Sequence, residues 1–234
     1  MDIRVKKILA IQSRTQPERI RRERENFRRA IGESAEVQFL SVLDEKLAWA
    51  SPGEFLKGFD SVILGGSSDF DFNGGRDEKD PARLVSFIIL TCVKNIVSHA
   101  LKKDFPLLGV CFGHQIIAQM HAGEVDNDKL QGKFGAYEVA LTEEGARDPF
   151  FSALPRTFFA QYAHKDSATK LPEGSVLLGK TANCRFAVLR YGARAYTTQF
   201  HPEVERMGVG PYYESSEASS ILPLWIKRVV AGSG

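Results

Sequence analysis

The sequence predicts an α/β fold in which a mostly parallel sheet is flanked by helices and extended by an antiparallel portion. Three observations support this prediction. Short apolar segments alternate with helix-like segments in the first half, as strands buried on both faces of a parallel sheet do. After about residue 133, strand-like runs follow one another with only turns between them, which is typical of antiparallel strands. The hydrophobic share of 43% and charged share of 26% are ordinary for a globular domain.

The first half is expected to contain four strands and two long helices. One helix is expected to begin at Pro17, whose fixed φ suits the first turn of a helix. Ile20, Phe27 and Ile31 recur on one face of it. Right-handed crossovers should carry the chain between neighbouring parallel strands. We place strands at 8–11, 37–42, 61–64 and 107–111, and helices at 17–31 and 81–103.

The second half is expected to add strands and a helical tail. The strand-like runs lie at 136–141, 157–162, 176–178, 186–189 and 195–200. Only the tail, about 215–230, looks helical again, with Pro223 as a start or a kink. No repeat or linker divides the 234 residues, so we expect one domain over 1–234 with a C-terminal helical tail at about 206–234.

Composition excludes several classes of function. A net charge of +2 gives no support for nucleic acid or a membrane surface as the main partner. The apolar run near 84–93 is interrupted by Ser86 and Thr91, so no membrane span is expected. Three scattered cysteines are neither a disulfide framework nor a metal-binding pattern. The first residues lead into a strand rather than a signal peptide, and we expect a cytoplasmic protein without metal or cofactor.

Cys111 is the strongest candidate for a catalytic residue. It lies in a Gly-x-Cys-x-Gly turn between an apolar strand and an amphipathic helix, which is the turn that presents a nucleophile in several hydrolase folds. The glycines relieve crowding at the turn, and the positive end of the following helix favours a thiolate. We expect the thiol to be exposed above the edge of the sheet.

His201 and Glu203 are the candidates for base and orienting acid. They follow a β-rich run and are separated by Pro202, whose turn allows both side chains to point towards the same end of the sheet. A cysteine nucleophile needs a base, and the base needs an acceptor that fixes its tautomer. The three residues therefore form a complete set for nucleophilic catalysis.

Each candidate also has a simpler interpretation. Free cysteines are most often buried core residues, which is how we interpret Cys92, whereas Cys184 is expected in a loop. His114 and His121 could share a metal, but without a third ligand they are interpreted as ordinary helix positions.

Several motifs together resemble the class I glutamine amidotransferases, and most of all the glutaminase domain of GMP synthase. The anchors are Gly-Val-Cys-Phe-Gly-His-Gln at 109–115 and Gln-Phe-His-Pro-Glu-Val at 199–204. The resemblance extends over about 5–205 and includes the segments 122–125, 133–139, 163–166 and 186–188. It implies a flavodoxin-like sheet and a Cys-His-Glu triad.

The resemblance also implies further site residues. Backbone N–H groups of Gly66 and Phe112 would form the oxyanion hole that acyl transfer requires. Gln115, Phe134 and Gly135 would line the glutamine pocket. His164 and Asp166 match a His-x-Asp pair, which is implied either in substrate binding or in contact with a synthetase.

A basic segment at 19–29 leaves two interpretations open. Its arginines would suit a phosphate or RNA surface, but it also contains acidic residues and an apolar stripe. A solvated helix face is the preferred interpretation.

The expected activity is hydrolysis of the γ-carboxamide of glutamine through a γ-glutamyl thioester. No phosphate loop follows Glu203, so the ammonia would go to a separate synthetase subunit. The first alternative is a stand-alone γ-glutamyl peptide hydrolase, since such relatives share the 109–115 motif. The second is a non-catalytic binding protein on the same fold.

Overall fold

The computed structural model describes residues 4–44, 49–205 and 216–232. In this part of the chain, nine strands form one sheet in the order β2-β1-β3-β4-β11-β10-β9-β6-β7, and β5 pairs with β8 in a separate ribbon. The strands are β1 (Lys6–Gln12), β2 (Ala35–Ser41), β3 (Ser61–Leu64), β4 (Leu107–Val110), β5 (Val125–Asp126), β6 (Lys133–Leu141), β7 (Thr157–His164), β8 (Ser167–Ala168), β9 (Ser175–Thr181), β10 (Cys184–Tyr191) and β11 (Ala195–Thr198).

The sheet is parallel on one side and antiparallel on the other. β1 pairs in parallel with β2 and β3, and β4 with β3 and β11. From β11 onward, through β10, β9, β6 and β7, every pairing is antiparallel. The predicted fold class is therefore confirmed.

Helices cover both faces of the sheet. They are α1 (Pro17–Ile31), α2 (Pro52–Phe55), α3 (Pro81–Lys103), α4 (Phe112–Met120), α5 (Glu143–Arg147) and α6 (Ser216–Trp225). Alternate residues of β1 point to opposite sides, as the pleat requires. Ile8 and Ala10 join the core under α1 and α6, whereas Leu9 and Ile11 join the core under α3 and α4.

Several predicted boundaries agree with the structure and others do not. The bounds of α1, α3 and β3 agree with the expectation, whereas most later strands are longer than predicted. Cys184 is a correction, because it begins β10 and is buried. Cys92, expected in the core, is only partly buried. Pro223 lies inside α6, and the part of the predicted tail at 206–215 lies outside the described residues.

Among the described residues, α3 has the length and apolar composition of a membrane-spanning helix. A core helix passes the same test, and Ile89, Val93 and Ile96 of α3 are fully buried against the sheet. Leu84, Phe87 and Ile88 on its outer side are exposed. Ser86, one of the polar residues that interrupt the apolar run, lies within α3 and donates its hydroxyl to the carbonyl oxygen of Ala82.

The sheet order brings the candidate residues together. β3, β4 and β11 are adjacent and parallel, so their carboxyl ends meet at the same edge, where ligands bind in open α/β sheets. Gly66 follows β3, Cys111 follows β4 and His201 follows β11.

Candidate active site

Cys111 occupies a strained turn between β4 and α4. Its φ of +50° and ψ of −97° are outside the regions that residues with a Cβ normally adopt. Such strain persists only where the surrounding structure imposes it, and it is concentrated at functional sites. The sequence-based expectation of an exposed thiol is wrong, because the residue is only 2% exposed.

Hydrogen bonds between three strand ends hold this turn. The Cys111 N–H donates to the carbonyl oxygen of Thr198 at 2.8 Å, and the Gly113 N–H donates to that of Gly65 at 3.2 Å. A Cβ at position 113 would overlap the Leu64 carbonyl oxygen. Only glycine therefore lets α4 begin this close to β3.

His201 and Glu203 form a buried pair beyond β11. The Nδ1 atom of His201 lies 2.7 Å from Oε1 of Glu203, and both residues are 4% exposed. The His201 N–H donates to the carbonyl oxygen of Gln161 at 2.8 Å, which fixes the histidine backbone against β7. This carboxylate selects the tautomer in which Nδ1 carries a proton, leaving Nε2 for Cys111.

The electrostatics of the site favour a protonated His201. Burial opposes the charged form, but the charges of Glu203 and Cys111, together with hydrogen bonds to both residues, raise the pKa of His201 to about 10. An imidazolium beside the sulfur is the arrangement that activates a cysteine nucleophile.

Gly66 lies against both catalytic candidates. A Cβ built on it would be 2.9 Å from Cε1 of His201 and 3.5 Å from Cβ of Cys111. Phe112 is the first residue of α4, where the backbone N–H has no partner within the helix. The two predicted oxyanion-hole residues are therefore next to the sulfur, and their role stays a prediction.

Gln115, His164 and Asp166 meet on one backbone carbonyl. The Asp166 oxygen accepts from Nε2 of Gln115 at 2.7 Å and from Nδ1 of His164 at 2.9 Å. Burial, with the positive charge of His201 nearby, lowers the pKa of His164 to about 4, so its buried Nε2, which has no partner among the described residues, is unprotonated at neutral pH.

The Asp166 carboxylate holds the loop that follows Gly66. It accepts the backbone N–H groups of Asn73 at 2.7 Å and of Gly74 at 2.6 Å. Burial raises the pKa of Asp166 even though these hydrogen bonds oppose the rise. Both oxygens are thus occupied within the protein, and the substrate contact implied by the resemblance stays a prediction.

Phe134 and Gly135 lie on β6, beside the strand that borders the sulfur. Phe134 pairs with Ala163 of β7, and the carbonyl oxygen of Ala163 is 3.9 Å from Sγ of Cys111. Gly135 has a φ of +112°, and Phe134 is 49% exposed. Their geometry fits a pocket wall, and their role also stays a prediction.

A buried ion pair that the sequence-based expectations did not include lies next to the site. Nε of Arg14 lies 3.0 Å from Oε1 of Glu23 on α1, and Nη2 of Arg14 is 3.4 Å from the Cβ position built on Gly66. Burial opposes the charge of Arg14, but Glu23 and, after it, Glu203 and Cys111 raise the pKa of this guanidinium. Arg14 follows β1 at the same sheet edge, a signal that could have identified it.

A cavity of about 620 Å³ opens beside His201. One wall is α1 and the segment before it, and the other is formed by residues that follow β3 and β11. We call it the arginine-lined cavity, and its lining residues are Arg14, Arg19, Arg22, Glu23, Glu25, Asn26, Arg29, Ser67, Ser68, Ala163, His201, Glu203 and Val204.

No group of three metal-ligating side chains occurs in the ranges that the structure describes. The Nδ1 atom of His114 is 2.8 Å from Oγ1 of Thr197, whereas the His121 ring packs on Tyr191. The two histidines contact different strands, so their expected interpretation as ordinary helix positions fits the geometry.

Comparison with known families and proteins adds a second line of evidence. Residues 74–216 match the family model of the class I glutamine amidotransferases. A glutamine-hydrolysing GMP synthase subunit from Methanocaldococcus jannaschii is 37% identical over 120 residues, which are 50% of this chain and 61% of that protein. The match to this relative therefore spans less than two thirds of its length. Another such protein, from Archaeoglobus fulgidus, is 28% identical over 66% of this chain and 72% of its own.

Solved structures agree with the fold. A Thermoplasma acidophilum protein, provisionally assigned as a GMP synthase subunit, superimposes with a TM-score of 0.71 at 22% identity, covering 97% of this chain and 95% of its own. A Thermotoga maritima glutamine amidotransferase gives a TM-score of 0.58 at 24% identity, covering 86% of this chain and 77% of its own.

Proposed function

Because this chain belongs to the class I glutamine amidotransferase family, as the motifs indicated, we propose that it hydrolyses the γ-carboxamide of glutamine to glutamate and ammonia. The observation that carries the proposal is the convergence of Cys111, His201 and Glu203 at one edge of the sheet. Cys111 supplies the nucleophile, His201 moves the proton and Glu203 orients the imidazole.

The reaction proceeds in two steps. The Cys111 thiolate attacks the amide carbon, the N–H groups of Gly66 and Phe112 hold the developing oxyanion, and His201 protonates the departing nitrogen. The C–N bond breaks and a γ-glutamyl thioester remains. A water that gives a proton to His201 then attacks the thioester, which releases glutamate and regenerates the thiolate.

Substitution of the cysteines tests this proposal. We expect Cys111→Ala to lower the glutaminase kcat/KM at least about 10³-fold. This variant should also no longer be alkylated by a glutamine-analogue chloroketone. Cys92→Ala, on the opposite side of the core in α3, is the matched control and should keep both. Full activity in Cys111→Ala would refute the mechanism.

We further propose that the ammonia is consumed by a separate synthetase subunit of GMP synthase type. Support comes from the relatives, whose names describe them as subunits of a glutamine-hydrolysing GMP synthase. Adding the ATP-dependent synthetase from the same organism, with its nucleotide and ATP, should raise glutamine hydrolysis and couple it to amination. Unchanged rates and no complex in gel filtration would argue against this partner.

A second candidate is hydrolysis of γ-glutamyl peptides, which the arginine-lined cavity favours. Ammonia needs little space, whereas about 620 Å³ lies open next to His201. A substrate with a larger amine could be accommodated there. Parallel assays with glutamine and γ-glutamyl dipeptides separate the two candidates.

A further inference from the structure

One face of α1 forms a wall of the arginine-lined cavity. Arg19, Arg22, Asn26 and Arg29 all line it, and their spacing of three or four residues places them on the same side of a helix. Part of the basic segment at 19–29, for which a solvated helix face is the expectation, therefore faces the cavity next to His201.

The chemistry of the reaction says which part of a substrate would enter this cavity. His201 protonates the departing nitrogen in the proposed mechanism, so that nitrogen must lie beside the imidazole. Any group attached to the nitrogen then extends away from Cys111 along the side of His201. The cavity is lined by His201 and by Ala163, whose carbonyl oxygen is 3.9 Å from Sγ of Cys111.

Two cations that line the cavity have no ion pair in the described part of the chain. The other charged residues of the lining already have partners. Arg14 pairs with Glu23, and Arg19 pairs with Asp69. The carboxylate of Glu25 pairs with Arg21, and that of Glu203 is bonded to His201. Of the four arginines that line the cavity, Arg22 and Arg29 are exposed and form no ion pair with any residue that the structure describes.

Ser67 adds a hydroxyl donor opposite these arginines. Its Oγ accepts the N–H groups of Asp69 and Phe70 at 3.1 and 3.0 Å, so its own hydrogen remains for a ligand. Carboxylates and phosphates accept hydrogen bonds from guanidinium and hydroxyl groups.

We propose that the arginine-lined cavity is the leaving-group subsite for γ-glutamyl amides whose amine carries an anionic group, γ-glutamyl amino acids and short peptides being the simplest. This inference rests on the proposed hydrolysis and extends it to a substrate class. The γ-glutamyl C–N bond breaks, His201 gives its proton to the nitrogen, and water supplies the atoms that release glutamate. The cavity volume is typical of small-molecule sites, which favours a small anion over a protein surface.

Binding to the inactive Cys111→Ala protein tests the inference independently of turnover. The probes are γ-glutamylglutamate and the neutral γ-glutamyl methylamide, titrated by calorimetry. We expect the anionic probe to bind about tenfold more tightly, and Arg22→Gln/Arg29→Gln to remove that preference while leaving the neutral probe within about twofold.

The matched control is Arg21→Gln/Arg28→Gln. It removes the same charge from adjacent positions of the same helix, where Arg21 is 74% exposed and Arg28 lies over the Phe39 ring. The control should keep the preference for the anionic probe. In the wild-type cavity, that preference should also decrease as salt concentration rises, which needs no variant.

Equal binding of the two probes, or equal effects of the two double variants, would overturn the inference. Loss of synthetase stimulation in Arg22→Gln/Arg29→Gln without a change in probe binding would also overturn it, because the arginines would then serve a protein partner. Failure of the proposed function itself is distinguishable, since Cys111→Ala would then retain wild-type turnover whatever the probes bind.

Discussion

At the scale of single residues, the site depends on a histidine that holds its proton. Glu203 is the first of the groups that raise the pKa of His201, and one of its oxygens, Oε2, is buried without a partner among the described residues. Because the hydrogen bond of this carboxylate goes to His201, its contribution should appear in the pH dependence of the reaction.

Glu203→Gln should lower kcat/KM at neutral pH by about 10²- to 10⁴-fold, as neutralising the acid of a serine-protease triad does. The alkaline limb of the pH profile should also move to lower pH, because the imidazolium loses its main stabilising charge. Glu205→Gln, at an exposed position two residues later, is the control. An unmoved alkaline limb would contradict the role given to Glu203.

The same pair predicts how stability depends on pH. The folded-state pKa of His201, about 10, lies above its ordinary value of 6.5, so its stabilising effect is complete below about pH 6.5 and is lost as the pH rises towards 10. The free energy of unfolding of the wild type, measured in urea, should therefore fall over that window more steeply than that of Glu203→Gln. Parallel curves would count against the raised pKa.

Gly66→Ala tests the close approach of the loop after β3. The added methyl group would lie 2.9 Å from the His201 ring and force the imidazole away from the sulfur. We expect at least about a 10²-fold loss of kcat, comparable to removing one oxyanion donor. Gly53→Ala, whose methyl would meet only Cε1 of His99 at 3.4 Å, should keep full activity.

At the scale of elements, short turns and loops set the geometry of the site. Asp166, between β7 and β8, fixes the loop at 73–74 through two backbone N–H groups. The Arg14–Glu23 pair fixes the segment after β1 to α1 in the same manner. Asp166 is more than 90 residues from the loop that it holds. Arg14 is close to Glu23 in sequence, but it lies in a loop that has no periodic pattern.

Asp166→Asn should destabilise the protein by about 2 kcal/mol, because an amide group offers one acceptor where the carboxylate offers two. Amide hydrogen exchange should accelerate at Asn73 and Gly74, while KM for glutamine changes little. Asp71→Asn in the same loop, whose carboxylate pairs with Arg76 at the rim, is the comparison. A large rise in KM with unchanged exchange would instead support the substrate contact implied by the resemblance.

At the scale of the whole molecule, the fold and the catalytic candidates could be predicted because each produces a local pattern. Apolar strands indicate the parallel half, and the turn around Cys111 needs glycines that appear in the sequence. Arg14 could have been placed near the site from its position after β1, but its pairing with Glu23 could not be predicted, since a buried ion pair between a loop and a helix has no fixed spacing.

The prediction that Cys184 lies in a loop was wrong for a physical reason. Its polar neighbours suggested a loop, yet Asn183, with a φ of +63°, closes a two-residue hairpin between β9 and β10. Cys184 is therefore the first residue of a strand, where burial raises the pKa of its thiol to about 12. It is expected to be unreactive, unlike Cys111.

Trapping the acyl intermediate shows whether Cys111 carries the γ-glutamyl group during turnover. Wild-type protein in steady-state turnover of glutamine would be quenched in acid, digested and analysed by mass spectrometry. We expect one γ-glutamyl thioester, on the peptide that contains Cys111, and none on the peptides with Cys92 or Cys184. Continued release of glutamate with no acylated Cys111, or with the acyl group elsewhere, would contradict it.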